Sequence, residues 1–118
     1  MLLLDAEIYF YKPEEKASAL SNDLDPSLIL RPTIDLGNGM LWSGQLVFDK
    51  SENDIFRGKH YHALIQLFTI NDEEFECLKF LVKKNAIFTI HSGSKLIGTG
   101  KVLDYLYEPD EQFFKNWF

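Results

Sequence analysis

His60-x-His62 is the spacing in this sequence best suited to chemistry, because residues two apart on a strand share a face and both imidazoles can reach one ion. A metal-binding enzyme built on His60, His62 and neighbouring carboxylates is therefore one reading of the chain. No third ligand stands near the pair in sequence, and such pairs are more often two polar residues on the solvent side of a strand. Asn71-Asp72-Glu73-Glu74 offers oxygens to Ca²⁺ without the Asp-x-Asp-x-Asp-Gly spacing, and the same residues suit the cap and dipole of a helix start. Ser, His and Asp occur, yet no Gly-x-Ser-x-Gly elbow frames a nucleophile. Cys77 is the sole cysteine and falls between helix positions that read as core-facing, so a buried, inert thiol is expected. Gly93, Gly98 and Gly100 make no phosphate cradle, since no helix start follows them. The sequence thus assigns no catalytic residue, no metal ligand and no cofactor.

The aromatic residues at the C-terminal end point elsewhere. Phe113, Phe114, Trp117 and Phe118 would share one face of a short helix, and a small chain rarely leaves so many rings in water. They are assigned as partner-binding residues, covered either by the body of the domain or by a second subunit or partner.

The elements that must position these groups are mostly strands. Leu4 to Tyr11 alternates, with Leu4, Ala6, Ile8 and Phe10 on one face and Asp5, Glu7, Tyr9 and Tyr11 on the other. Lys12 to Ser27 is a polar connection with Pro13 and Pro26, holding at most a helical turn around Glu14 to Leu20. A second strand covers Ile29 to Leu36, with Pro32 marking an edge or bulge, and Gly37-Asn38-Gly39 turns it into a third, Met40 to Phe48. In that third strand Trp42, Gly44, Leu46 and Phe48 share a face. Lys59 to Phe68 is the fourth, with Tyr61, Ala63, Ile65 and Leu67 inward.

The period then changes. Phe75, Leu78, Leu81 and Val82 recur at helical spacing after Asn71 or Asp72 as N-cap, and Asn85 supplies the stop. Ala86 to His91 and Lys95 to Leu103 are the last two strands, joined through Ser92-Gly93-Ser94, with Gly98-x-Gly100 suggesting a bulge. This predicts a mainly β fold: one domain over residues 1–118, a six-stranded antiparallel β-barrel over 4–103 with one short helix, and an aromatic tail over 104–118. Ile8, Phe10, Ile34, Leu46, Phe48, Ile65, Leu67, Phe88, Ile90 and Val102 are its expected core.

Composition narrows the partners. At 118 residues, 46% hydrophobic and 25% charged, the chain suits one globular domain. Its 18 Asp and Glu against 12 Lys and Arg leave a net charge of −6, which opposes the counterion release that drives binding to a phosphate backbone. Nucleic acid is therefore disfavoured and a basic protein partner fits the field better. A single cysteine excludes an intrachain disulfide and suits a reducing compartment. Met1-Leu2-Leu3-Leu4 stops at Asp5 without a basic residue, and no run approaches the ~20 apolar residues of a membrane span, so a cytoplasmic location without membrane insertion is expected.

The strand pattern and its glycines resemble a known family, the C-terminal β-barrel (domain III) of elongation factor Tu and related translation GTPases. Asp5-Ala6-Glu7-Ile8-Tyr9-Phe10 looks like that domain's first strand, Arg31-Pro32 like its Tyr-Arg-Pro segment, and Phe56-Arg57-Gly58 like its Pro-Gly-(Asp/Glu) turn. The strongest match is the run from Phe88 to Val102, similar to Phe-x-Ile-(Arg)-x-Gly-x-(Arg/Lys)-x-(Val/Ile)-Gly-x-Gly-x-Val. The departures are functional. Lys12 to Ser27 has no Arg and is acidic where the family's loop helps to hold aminoacyl-tRNA, His91 and Ser92 replace an Arg-Glu pair, and no phosphate loop is present. The resemblance implies the fold and not GTP hydrolysis or tRNA capture.

The function expected is a non-catalytic protein-interaction module with no cofactor, with a homodimer left open. The alternative is a small immunity or antitoxin protein whose acidic face blocks a basic enzyme.

Overall fold

The computed structural model describes residues 1–25 and 31–109. Strict alternation builds its centre. In β1 (Leu2–Phe10) every second side chain is buried, and β5 (His60–Leu67) repeats the pattern. The two pair antiparallel with Leu4 opposite Ile65 and Ile8 opposite Tyr61, so their apolar faces coincide.

The remaining strands are β2 (Thr33–Asp35), β3 (Trp42–Ser43), β4 (Gln45–Phe48), β6 (Ile87–Ser92) and β7 (Lys95–Tyr107). They form one antiparallel sheet in the order β3-β2-β6-β7-β1-β5-β4. The mainly β class and antiparallel pairing are as expected, but the architecture is a curled half-barrel of seven strands and not a closed six-stranded barrel.

The extra strand has a local cause. The single strand expected over Met40 to Phe48 is broken at Gly44 into β3 and β4, which lie at opposite edges of the sheet. A Cβ on Gly44 would lie 3.0 Å from Leu67 and 3.2 Å from Ile65, and its amide donates to the Pro32 carbonyl at 3.0 Å. A side chain there would press on both Ile65 and Leu67, so a glycine suits the close approach of the backbone to the core as it crosses from one edge to the other. Ahead of it, Gly37 and Gly39 adopt φ of 117° and 80° in the hairpin joining β2 to β3.

Further boundaries move. Only Thr33 to Asp35 of the expected Ile29–Leu36 strand is described as strand, residues 26–30 lying outside the described residues. Lys12 to Leu20 closes two short turns, the first with a helix-like bond from the Lys16 amide to the Lys12 carbonyl at 3.2 Å, and forms no helix. The β7 strand runs through Tyr107, so residues 104–107 belong to the sheet and not to a tail that starts after Leu103. Two register shifts allow this: Ile97 is the extra residue opposite Ile90 and His91, and Leu103 is the extra residue opposite Asp5 and Ala6. The bulges flank Gly98-x-Gly100 and do not fall inside it.

The helix α1 (Asp72–Leu78) starts as expected at Asn71, whose side chain accepts from the Glu74 amide while the Glu74 carboxylate accepts from the Asn71 amide. It ends at Leu78, with the Asn85 stop (φ 70°) displaced beyond a further turn. Leu78 and Val82 are buried, while Phe75 stacks on Tyr107 at 3.9 Å between ring centroids. All ten expected core residues line one apolar cluster: nine are buried, and Phe48 packs partly covered against them. No helix of the described residues is long and apolar enough to cross a membrane.

Candidate interaction surface

The sheet has two faces, and chemistry-bearing side chains lie on the outer one. Alternation that sends Ala6, Ile8, Tyr61 and Ala63 inward sends Asp5, Glu7, His60 and His62 outward. The structure does bring His60 and His62 together with carboxylates, as two diagonal pairs across the β1–β5 ladder. His60 Nδ1 lies 3.3 Å from Glu7 Oε1, and His62 Nε2 contacts Asp5 Oδ1. Each imidazole has its own acid. Among the described residues no group of three His, Cys, Asp or Glu side chains converges to hold a metal ion. The geometry supplies two exposed polar pairs and leaves the metal-enzyme reading without a coordinating cluster.

Around this row, Tyr9 lies against His60 with ring centroids 4.9 Å apart and donates its hydroxyl to Glu15. That hydrogen bond is the main reason the Tyr9 hydroxyl is pushed above, and the Glu15 carboxyl below, its ordinary value. Asp49 is held low chiefly by the Ser51 amide, then by the Ser51 hydroxyl, with a smaller contribution from nearby His62. The acidic connection is tied down at Asp23, which accepts from the Arg57 amide and from Arg57 Nε, each at 3.0 Å; these bonds hold its carboxyl below the usual range. Arg57 also donates to the Leu20 carbonyl at 2.7 Å.

Cys77 corrects an expectation. It is exposed, because the last turn of α1 buries Leu78 and turns the neighbouring thiol to solvent. Gly93 sits in the β6–β7 turn, whereas Gly98 and Gly100 lie under the inner face, where added Cβ atoms would meet the Tyr9 carbonyl and the Phe88 ring. Their role is packing. Phe113, Phe114, Trp117 and Phe118 lie outside the described residues.

One feature escapes a strand-by-strand reading of the sequence. The outer face carries exposed aliphatic side chains on five strands: Val47 on β4, Leu64 on β5, half-covered Leu3 on β1, Leu103 and Leu106 on β7, and Ile87 on β6. Register places Val47 beside Leu64 and Leu3 beside Leu106, with Leu64 directly opposite Asp5 and so diagonal to Leu3. Scattered single aliphatics are ordinary on a surface, but neighbours across four adjacent strands form a patch. The signal in the sequence was the break in outward polarity at these positions.

By contrast, the open cleft under the acidic connection, lined by Phe10, Leu20, Leu24, Arg31, Leu46 and Ile97, holds about 130 Å³, and a second open cleft beside Gly44, Phe68 and Thr69 holds about 310 Å³. Pockets that bury a drug-sized ligand run to roughly 300–1,000 Å³. The outer face, by register, joins its side chains across four adjacent strands.

No protein-family model matches the chain, and no curated protein matches it either.

Proposed function

We propose that this chain is a non-catalytic protein-interaction module, akin in strand pattern to the C-terminal barrel of elongation factor Tu but working without a GTPase domain or cofactor. The observation that carries the reading is the outer face of the half-barrel, where aliphatic side chains lie among the acids Asp5, Glu7 and Asp104 and the bases His60, His62 and Lys101. A surface of that kind recognises a macromolecule by area and charge, whereas a catalyst needs groups converging on a reacting atom. Phe113, Phe114, Trp117 and Phe118 add a second candidate contact, since aromatic rings dominate interface energetics. The net charge of −6 favours a basic protein over nucleic acid, in a reducing, cytoplasmic setting.

The experiment is capture of partners by the tagged full chain with mass spectrometry, followed by calorimetry on the purified pair. A saturable complex supports the reading. Stoichiometric metal in the purified protein, or turnover abolished by replacing His60 and His62, would overturn it. The immunity or antitoxin alternative rests on the acidic excess of the chain, and a very tight one-to-one complex that inhibits a cationic enzyme would single it out.

A further inference from the structure

Two carboxylates sit where a sheet ordinarily avoids them. Asp5 on β1 and Asp104 on β7 are direct cross-strand partners at the Leu103 bulge, both on the outer face. Like charges directly opposite each other destabilise a ladder, and a cation placed between them relieves that repulsion. Asp5 also touches His62, while Asp104 accepts from the Tyr105 amide at 2.9 Å. Around them lie Leu64, Leu3, Leu103 and Leu106, with Leu106 60% exposed.

We infer that this face docks a segment of a partner protein that combines aliphatic side chains with a lysine or arginine seated between Asp5 and Asp104. The inference rests on the interaction-module reading and adds to it the site and the chemistry of the partner. Charge complementarity selects the occupant. A second copy of this acidic chain would oppose one carboxylate pair to another, and a phosphate backbone would be repelled. An aliphatic and basic segment answers both halves of the surface: its apolar side chains cover Leu64 and Leu106, and its cation meets the paired acids. An arginine fits especially well, because its planar fork can donate to two carboxylates at once.

The test uses the full chain, isotopically labelled, and a short synthetic peptide alternating Lys and Leu, with a Glu-and-Leu peptide as the opposite-charge control. The Lys-containing peptide should shift amide resonances around Asp5, Leu64 and Leu106. Asp5→Asn with Asp104→Asn should weaken binding by about tenfold or more. Leu64→Ser with Leu106→Ser should weaken it without changing net charge, while Glu52→Gln with Glu73→Gln, an equal charge change elsewhere, should leave it nearly unaltered. Thermal melts of each variant show that the fold is intact.

Equal weakening by the two charge-neutralising pairs would reduce the effect to the overall field and overturn the site. So would equal binding of the Glu-containing peptide, or a dimer of this chain that Leu64→Ser with Leu106→Ser disperses. A natural partner held undiminished by the Asp5→Asn, Asp104→Asn chain would overturn this site and leave the interaction-module reading standing.

Discussion

Gly100 on β7 is the cross-strand partner of Phe88 on β6, and the Phe88 ring fills the space that a side chain at position 100 would need. The glycine is there for the ring. Three atoms of that ring crowd the site of an added Cβ, and Phe88 is itself only 2% exposed, so neither group has room to yield. Gly100→Ala should therefore destabilise the fold by about 1–3 kcal/mol through overpacking, and Phe88→Ala by about 3–5 kcal/mol through the cavity it leaves. Because the ring causes the clash, the double variant should cost less than the sum of the two. Urea unfolding of the three variants measures that coupling, and strict additivity would show that ring and backbone do not compete for the same space.

Asn71 begins the helix by reciprocal hydrogen bonds with Glu74. Asn71→Ala removes the acceptor for the Glu74 amide and should cost about 1 kcal/mol. Asn71→Asp keeps an acceptor beside the helix start and should cost much less. A matched pair of chemical melts distinguishes them.

The Asp23–Arg57 contact makes part of the stability depend on pH. Hydrogen bonds from the Arg57 amide and side chain lower the folded-state pKa of Asp23, so the unfolded chain binds its proton more readily. That contribution is present above the unfolded pKa and is lost as pH falls through the folded one, which places the loss below about pH 4. Glu15 behaves alike, its pKa lowered first by the Tyr9 hydroxyl and then by the Lys12 amide. Both carboxylates are exposed, so each effect is small. Asp23→Asn should flatten the acid limb of a plot of unfolding midpoint against pH while leaving its shape near neutrality, and an unchanged acid limb would contradict the contact.

Cys77 is exposed in the folded protein. A thiol reagent should label the native chain at a rate close to that of the unfolded chain, without prior opening of the core. Strong native-state protection would mean that the last turn of α1 faces the other way.

Periodicity alone determined a good deal here. The alternation of Leu4, Ala6, Ile8 and Phe10, and of Tyr61, Ala63, Ile65 and Leu67, assigns two strands and their buried faces before any partner is known, because a period of two admits only one inward set. Gly37-Asn38-Gly39 likewise marks the hairpin, and Asn71 with Glu74 marks the helix start, since positive φ and capping are local requirements. The histidine pair was legible as a face of a strand but not as two acid–imidazole contacts, for Asp5 and Glu7 lie far away along the chain.

Tertiary structure decided what depends on distant neighbours. Gly44 reads as an inward position of one strand, and only the packing of Ile65 and Leu67 against its bare Cα shows why the chain changes edges there. Leu103 reads as the end of the barrel, yet a bulge opposite Asp5 lets β7 run on to pair with Leu2. Leu3, Leu64 and Leu106 are unremarkable one at a time. Register sets them side by side with Asp5 and Asp104, because the neighbours of an outward side chain belong to adjacent strands, and strand order is settled only when the sheet curls over its core.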